Sequence, residues 1–257
     1  MPATDLLSIV VPVYRNAATV APLHDFILQS LQPLRRACEI VFVVDGSPDD
    51  SLEAVLALRQ RSPIVTVVSL AKNAGQAWAL LVGLRYAAGD PIVTMDADLQ
   101  DPPSAIPALL AALEPDADVV FAGRRGSYES PSRLLTSRVF KRALAWLSRR
   151  RIPADAGLFL VMRRKVAEAL LDRGDVEPYL ISMLGRESWR LRSVPVEREP
   201  REEGRSSYTF LRRLTISGRA LRGLLFPAPA GAPPIRTLID TAPALRHILH
   251  STDRSSA

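Results

Sequence analysis

The chain has 257 residues, of which 47% are hydrophobic and 23% charged, so it can bury a sizeable core. This composition excludes a disulfide-stapled miniprotein and a wholly disordered chain. The formal net charge is +6 and only three of the 33 basic residues are lysines, a balance that favours anionic partners such as phosphates, nucleic acid or an acidic membrane surface.

The first 122 residues alternate short apolar runs with longer amphipathic stretches. The runs predict strands at Leu7–Tyr14, Glu39–Asp45, Ile64–Leu70, Ile92–Met95 and Asp118–Ala122. The stretches predict helices at Ala17–Leu31, Ser51–Arg61, Gly75–Ala88 and Ser104–Leu113. This alternation is typical of βαβ units, so we expect an α/β fold with a mostly parallel sheet flanked by helices.

The second half of the sequence is richer in arginine. It predicts a helix at Pro131–Arg151, a strand at Gly157–Met162, a helix to about Arg173, a strand at Trp189–Glu197, an exposed loop at Glu199–Ser207 and an amphipathic helix at Tyr208–Phe226. The prolines that follow predict a weakly ordered tail over residues 227–257, with at most a short helix around Ala242–His250. We expect no signal peptide and no transmembrane helix, because no basic region precedes the first apolar run and no long run is free of charge or proline.

The strongest candidate site is the sequence MDADLQDPP, which begins at Met95 and directly follows a predicted strand. Asp96 and Asp98 are alternate carboxylates at the carboxyl edge of a parallel sheet, where ligands bind. Such a pair favours Mg²⁺ or Mn²⁺, which take one or two carboxylates together with diphosphate and water oxygens. The alternative is an acidic surface turn that the prolines end.

Two other predicted strands end in polar turns, PVYRN from Pro12 and DGSPDD from Asp45. Because the carboxyl ends of parallel strands meet at one edge, the three turns together can hold a base, a ribose and a diphosphate. Asp45 is suited to accept hydrogen bonds from base N–H groups or ribose hydroxyls. Each turn taken alone can also be a purely structural turn.

Four motifs, VPVYRN, DGSPDDS, KNAGQAWALLVGLRYAAGD and DADLQDPP, resemble in this order those of family 2 glycosyltransferases of the GT-A fold. The resemblance covers about the first 210 residues. With the arginine-bearing segment and EGRSSYTFLRRL, the chain is most similar to polyprenyl-phosphate glycosyltransferases, which include dolichol-phosphate mannose synthase and undecaprenyl-phosphate sugar transferases. The resemblance implies a GT-A domain over residues 1–226, with a nucleotide-sugar half (1–123) and an acceptor half (124–226).

The resemblance also implies a role for each matching position. Donor contacts are implied at Pro12, Tyr14, Asp45, Asn73, Gln76 and Asp96, and at Arg201, Ser206, Ser207 and Tyr208 in a segment that can close over the donor. Metal ligands are implied at Asp96, Asp98 and Gln100, with Mg²⁺ or Mn²⁺ as cofactor. Catalysis is assigned to Asp96, Asp98 and Arg133. For the segment from Arg201, an exposed charged loop is the alternative.

The acceptor side of the predicted site is basic. Arg124 and Arg125 follow a predicted strand, and Arg133 and Ser137 lie four residues apart on one face of a predicted helix. The resemblance implies that these positions hold an acceptor phosphate, which the planar guanidinium group can bind through two oxygens. A solvated basic helix face is the alternative. Such an acceptor is already an anion at neutral pH, so it needs no carboxylate base, and no Glu-Asp pair is seen near Glu187. The implied reaction is an inverting transfer from a UDP- or GDP-sugar to a polyprenyl phosphate.

Many bacterial members of the subgroup also have two transmembrane helices, which this sequence does not show. We expect the Tyr208–Phe226 helix to lie at an anionic bilayer, which would make the protein cytoplasmic and peripheral at the inner membrane face. A tetrameric assembly or a membrane partner would serve equally well. A soluble family 2 transferase acting on a saccharide or small-molecule hydroxyl is the alternative function. No nucleic-acid-binding motif is present, so we expect no nucleic-acid partner.

Overall fold

The computed structural model describes residues 6–113, 116–125, 152–153, 155–174, 179–197, 231–245 and 247–250. Three predicted elements lie outside these residues, namely the helix at Pro131–Arg151, the loop at Glu199–Ser207 and the helix at Tyr208–Phe226. No helix in the described part of the chain is long and apolar enough to cross a membrane.

The described residues form one mixed sheet with helices packed on it. The strands are β1 (Leu6–Val13), β2 (Ala37–Asp45), β3 (Val65–Leu70), β4 (Ile92–Thr94), β5 (Val119–Arg125), β6 (Leu160–Met162), β7 (Leu191–Glu197) and β8 (His247–His250). The helices are α1 (Val20–Leu31), α2 (Ser51–Arg61), α3 (Gln76–Tyr86), α4 (Ile106–Leu113), α5 (Arg164–Leu171), α6 (Leu180–Gly185) and α7 (Ile235–Thr241). The strand order is β7-β5-β6-β4-β1-β2-β3-β8.

Strand direction places most loops that follow strands at one edge of the sheet. β1 pairs in parallel with both β2 and β4, and β2 pairs in parallel with β3. β6 runs antiparallel to both β4 and β5, so β5 and its parallel neighbour β7 point the same way as β4. The expected α/β fold with a mostly parallel sheet is therefore confirmed, and six of the described strands present their carboxyl ends at one edge.

The central strands of the sheet are buried on both faces, which explains their continuous apolar runs. In β1 every residue from Leu7 to Val13 is buried, because successive side chains point to opposite, covered faces. One face packs against apolar side chains of α1, α2 and α4. The other packs against α3, α5, α6 and α7. These two cores fix the strands, and hence the points at which loops leave their carboxyl ends.

The C-terminal segment differs from the sequence prediction. Within the described residues, α7 and β8 lie in the tail that the sequence predicts to be weakly ordered over residues 227–257. The short helix expected around Ala242–His250 is matched only by a single 3-10 turn at Pro243–Leu245, and β8 follows it. Ile235 and Ile239 are buried in the same core as α3 and α5, and β8 pairs antiparallel with β3. No local pattern indicated this order, because tertiary contacts, rather than helix or strand propensity, stabilise the segment.

An ion-paired carboxylate joins β5, β7 and α5 at the opposite edge of the sheet. Asp118 accepts hydrogen bonds from Arg190 Nε at 3.1 Å and from the Arg190 backbone N–H at 3.0 Å. Lys165 Nζ lies 2.6 Å from Asp118 Oδ1. The bonds from Arg190, followed by the contact with Lys165, hold the pKa of Asp118 well below its ordinary value.

The first prediction compares two isoleucines of the C-terminal segment. Ile239 is 1% exposed and Ile248 is 63% exposed. Ile239→Ala should lower the free energy of unfolding by about 2 to 5 kcal/mol, because it removes buried methyl groups and leaves a cavity. Ile248→Ala should change it by less than about 0.5 kcal/mol. Urea denaturation of both variants checks this, and equal effects would contradict the docked position of α7.

The second prediction concerns pH. Asp118→Asn should lower the free energy of unfolding by about 1 to 2 kcal/mol at pH 7, since the partners Lys165 and Arg190 are partly exposed. The Asp118 contribution is present above its ordinary pKa of 3.8 and is lost as the pH falls below that value. The stability difference between wild type and variant should therefore shrink below about pH 4. Asp116→Asn is the control, because Asp116 is 65% exposed and lies 4.0 Å from Arg190.

Candidate donor and metal site

The loops after β1, β2, β3 and β4 meet at the carboxyl edge of the sheet because these strands are parallel. They bring together the predicted site residues Tyr14, Asp45, Asn73, Gln76, Asp96, Asp98 and Gln100. Pro12 lies within β1 and is buried beside Val43 of β2. The nucleotide-sugar half of the predicted site is therefore assembled in one place.

Asp45, the last residue of β2, holds the loop after β3. The residue is 2% exposed, and its carboxylate accepts hydrogen bonds from the backbone N–H groups of Ala74 at 2.7 Å and Gly75 at 2.9 Å. Asn73 Nδ2 donates to the same carboxylate at 3.1 Å. The sequence interpretation missed this structural role. A donor contact of Asp45 stays a prediction.

Gln76, the first residue of α3, reaches the loop after β4. Its Nε2 group donates a hydrogen bond to Asp96 Oδ1 at 2.6 Å. Gly75 before it has φ +96°, a backbone conformation that residues with a side chain rarely adopt. The glycine thus lets the chain turn sharply into α3 and point Gln76 at Asp96. We predicted a donor contact for Gln76, and the structure adds an orienting contact with a predicted metal ligand.

Residues 96–100 form a turn that we call the carboxylate turn. Asp98 Oδ1 accepts a hydrogen bond from the Gln100 backbone N–H at 3.2 Å, a side-chain-to-backbone bond typical of Asx turns. Leu99 between them has φ +61°. Asp96, Asp98 and Gln100 are half-buried, so their side chains also reach the surface of the edge. A leucine in this left-handed backbone conformation raises the free energy of the folded state by about 1 kcal/mol. Contacts of the surrounding residues must therefore stabilise the turn.

Asp49 joins the loops after β1 and β2. It accepts a hydrogen bond from Ser51 Oγ at 2.6 Å and another from Ser47 Oγ. Those two hydroxyls accept in turn from the backbone N–H groups of the β1 loop, Ser47 from Arg15 at 2.8 Å and Ser51 from Asn16 at 3.0 Å. Burial raises the pKa of Asp49, but the hydrogen bonds from Ser47 and Ser51 outweigh it and the net pKa is lowered. Asp49 therefore stays anionic as the acceptor at the centre of this network.

A fourth contact joins the loop after β4 to the loop after β1. Thr19 Oγ1 donates a hydrogen bond to the backbone carbonyl of Ala97 at 2.6 Å. Asp45 connects the end of β2 to the β3 loop, Gln76 connects the start of α3 to the β4 loop, and the Asp49 network connects the β2 and β1 loops. Together with the Thr19 bond, these contacts form a closed circuit of four hydrogen-bonded loops. We call this circuit the loop ring. It fixes the predicted donor and metal residues relative to one another.

The acceptor half contributes a close contact at the same edge. Ser193 Oγ on β7 donates to Asp155 Oδ2 at 2.9 Å. Both groups lie close to Gly123 of β5, where an added Cβ would overlap the carboxylate and the hydroxyl. Gly123 therefore leaves room for Asp155 beside the carboxyl-terminal end of β5.

Several predicted site residues are not placed. Arg124 and Arg125 are the last residues of β5, and the structure describes their backbone only. The remaining predicted residues lie outside the described ranges, namely Arg133, Ser137, Arg201, Ser206, Ser207 and Tyr208. The predicted acceptor phosphate contacts and the predicted donor-closing segment therefore stay predictions.

The carboxylate turn fits a hard divalent cation. Among the described residues, no three His, Cys, Asp or Glu side chains are grouped so that they could hold a metal ion. Mg²⁺ and Mn²⁺ do not require such a group, because they use one or two carboxylates and take their other ligands from substrate phosphates and water. Two half-buried carboxylates, Asp96 and Asp98, and the amide oxygen of Gln100 provide a ligand set of this hard, all-oxygen type.

The third prediction tests the buried carboxylate of the loop ring. Asp45→Asn should lower the free energy of unfolding by about 1 to 3 kcal/mol. The two carboxylate oxygens of Asp45 each accept a hydrogen bond from a backbone N–H group, whereas the amide of asparagine has only one accepting oxygen. Asp50→Asn is the matched control, since Asp50 is exposed and makes no side-chain capping bond to α2, a helix that the structure describes in full. Urea denaturation measures both variants. Equal stability of the two would show that the Asp45 contacts do not hold the loop.

Comparison with known proteins supports the fold and the family. A family model described as glycosyl transferase family 2 matches residues 8–171. A glycosyltransferase of Synechocystis sp., sll0501, which has not been characterised, is 31% identical over 205 residues, covering 79% of this chain and 64% of that protein. The likewise uncharacterised Bacillus subtilis glycosyltransferase YkcC is 29% identical over 211 residues, covering 82% of this chain and 65% of that protein. The chain thus spans less than two thirds of the length of each relative.

Solved structures with the same fold hold nucleotides and Mn²⁺. Glucosyl-3-phosphoglycerate synthase from Mycobacterium tuberculosis, in complex with Mn²⁺, UDP and glucosyl-3-phosphoglycerate, superposes with a TM-score of 0.61 at 20% identity, covering 92% of both chains. The mannosyltransferase PcManGT from Pyrobaculum calidifontis, in complex with GDP-Man and Mn²⁺, gives 0.61 at 21% identity, covering 93% of this chain and 71% of that one. At these identities the likeness shows the fold alone. Since the family model matches more than half of its residues, the chain belongs to glycosyl transferase family 2.

Proposed function

We propose that this chain is the catalytic domain of a metal-dependent, inverting glycosyltransferase that transfers a sugar from a nucleoside diphosphate sugar to a polyprenyl phosphate. The observation that carries the donor half of the proposal is the loop ring. It holds the carboxylates of Asp96 and Asp98 at the carboxyl edge of the sheet, between the loop after β1 and the start of α3. Ligands of open α/β sheets bind at this edge.

Asp96, Asp98 and Gln100 are the residues that would hold Mg²⁺ or Mn²⁺. When bound, the cation neutralises the negative charge that develops on the departing nucleoside diphosphate. Gln76 donates to one oxygen of Asp96 and thereby orients the carboxylate. The Mn²⁺ and nucleotides in the two similar structures support this assignment.

The base and ribose would lie over the loops after β1 and β2. Tyr14 and the loop at residues 73–75 border this part of the edge, and Asp45 keeps that loop in place. The protein groups that surround the nucleotide are therefore preorganised by hydrogen bonds among themselves. Preorganised groups lose little conformational freedom when a ligand binds, so more of the contact energy is available for affinity.

The acceptor would approach from the carboxyl end of β5. Arg124 and Arg125 end this strand, which points to the same edge as β4, and Asp155 lies beside it. A phosphate acceptor is already anionic at pH 7 and attacks the anomeric carbon without a protein base. One C–O bond forms as the bond to the nucleoside diphosphate breaks on the opposite side, so the configuration of the sugar inverts. The polyprenyl part of the proposal rests on the resemblance of the arginine-bearing segment, with Arg133 and Ser137, to that subgroup.

We also propose that the Tyr208–Phe226 segment brings the protein to the cytoplasmic face of an anionic membrane, where a polyprenyl phosphate is presented. Its sequence carries four arginines among apolar residues, a composition typical of interfacial helices.

A soluble acceptor is the second candidate. The mycobacterial glucosyl-3-phosphoglycerate synthase was also solved with phosphoglyceric acid, and it covers 92% of this chain with a TM-score of 0.63. That acceptor carries a phosphate but no lipid. A saccharide or small-molecule hydroxyl acceptor belongs to the same alternative.

The fourth prediction is a transfer assay. Purified protein is incubated with Mg²⁺ or Mn²⁺, a panel of UDP- and GDP-sugars, and undecaprenyl phosphate in detergent, 3-phosphoglycerate or simple saccharides. We expect a glycolipid product that EDTA abolishes. Asp96→Asn and Asp98→Asn should each lower kcat by about 100-fold or more, because both ligands act on the charge that develops in the transition state. Asp116→Asn, a change at an exposed position on the opposite edge of the sheet, should leave kcat unchanged.

The outcomes of this assay separate the parts of the proposal. Transfer to 3-phosphoglycerate or a saccharide, but never to undecaprenyl phosphate, would select the soluble-acceptor alternative. Product in which the configuration at the anomeric carbon is retained would contradict a single displacement. Full activity in EDTA, or in both aspartate variants, would overturn the metal assignment.

A further inference from the structure

We infer that Thr19 is a positioning residue for the carboxylate turn and that it acts through the backbone carbonyl of Ala97. The inference rests on the proposed function, because it concerns the same metal-binding turn. It adds a residue that the motifs and the family resemblance did not single out. Thr19 lies 78 positions from Ala97 in the sequence and touches neither predicted carboxylate ligand in the described contacts.

The side chain of Thr19 does not cap the helix that it precedes. Thr19 occupies the N-cap position of α1, where a threonine hydroxyl ordinarily accepts a hydrogen bond from a backbone N–H in the first turn of the helix. In α1, which lies wholly within the described residues, Thr19 makes no side-chain capping bond. Its hydroxyl lies 2.6 Å from the oxygen of Ala97 and 3.1 Å from the oxygen of Asn16. One hydroxyl proton serves one strong bond, and the shorter contact is the one to Ala97.

The carbonyl that Thr19 holds lies in the middle of the carboxylate turn, between the two predicted carboxylate ligands. It belongs to the peptide group that joins Ala97 to Asp98, so its orientation sets the direction in which the Asp98 side chain leaves the backbone relative to Asp96. The two carboxylates are anchored separately, Asp96 by Gln76 and Asp98 by the Gln100 backbone N–H. The Thr19 bond is therefore the described contact that fixes the backbone between them.

Burial makes this bond difficult to replace. Ala97 is 3% exposed, so little of the residue is open to water that would take the place of the hydroxyl. Asn16 Nδ2 donates to Thr19 Oγ1 at 3.3 Å, and Asn16 Oδ1 accepts from the Tyr14 backbone N–H at 3.4 Å. Through Asn16 and Thr19, these hydrogen bonds connect the loop that carries a predicted nucleotide contact to the turn that carries the predicted metal ligands. Fixing both loops together favours one geometry for metal and nucleotide.

The test compares threonine variants of equal size or equal chemistry. Thr19→Val keeps the shape and removes the hydroxyl, whereas Thr19→Ser keeps the hydroxyl. Thr237→Val is the control for the same change at an exposed threonine, which lies on α7 and away from the loop ring. Thr19→Ala removes the hydroxyl without branching and replaces Thr19→Val in the comparison if that variant does not fold. The free energy of unfolding of every variant is measured first.

Mn²⁺ binding is then measured without reference to activity. Free Mn²⁺ is followed by electron paramagnetic resonance in the presence of UDP and, separately, GDP. Thr19→Val should raise the Kd for Mn²⁺ in the nucleotide complex by about 10-fold or more, as expected for loss of a group that orients metal ligands. Thr19→Ser and Thr237→Val should bind Mn²⁺ as wild type does. In turnover assays, Thr19→Val should require correspondingly more Mn²⁺ for half-maximal rate.

The results distinguish failure of the inference from failure of the proposed function. If wild-type protein binds no Mn²⁺ with either nucleotide, the proposed function is wrong. If wild type binds Mn²⁺ and both hydroxyl-lacking variants of Thr19 bind it equally well, Thr19 is not a positioning residue, and the proposed function stands. A lower free energy of unfolding with unchanged Mn²⁺ affinity would likewise overturn the inference, because it would show a structural role alone.

Discussion

The closed circuit of hydrogen bonds among four loops is the constraint on which the site depends. Parallel strands deliver their loops to one edge, but strand pairing alone does not fix the loops relative to one another. Here Asp45 fixes the β3 loop, Gln76 links α3 to the β4 loop, Thr19 links that loop to the β1 loop, and Asp49 closes the circuit. A single hydrogen bond contributes little net free energy to stability, but a closed circuit restricts each loop from two sides.

The two edges of the sheet use carboxylates in different ways. At the amino edge, Asp118 is matched by Arg190 and Lys165, so its charge is neutralised within the protein and joins β5, β7 and α5. At the carboxyl edge, a side-chain amide and a backbone N–H donate to Asp96 and Asp98 and orient their carboxylates. Carboxylate oxygens oriented in this way are ligands of the type that a divalent cation with a bound diphosphate takes.

The regular elements of the first half could be predicted because their apolar patterns are local. β2 and α2 end at the predicted residues, and Asp96 and Asp98 lie at the expected edge. Other features could not be predicted because they depend on distant partners. α7 packs in one core with α3 and α5, β8 pairs with β3, and the Thr19 bond joins residues 78 apart. Asp45 and Gln76 lie in motifs that the sequence analysis named, but their hydrogen bonds to neighbouring loops had no local signal.

The central claim is that metal and nucleotide bind together at the carboxylate turn, and paramagnetic broadening of backbone amide signals by Mn²⁺ tests it most directly. With substoichiometric Mn²⁺ and UDP or GDP, we expect the signals of Asp96, Asp98 and Gln76 to broaden first. The signal of Asp118, at the opposite edge, should persist. Broadening centred on Asp118, or no broadening at the carboxylate turn when Mn²⁺ and nucleotide are both present, would contradict the account.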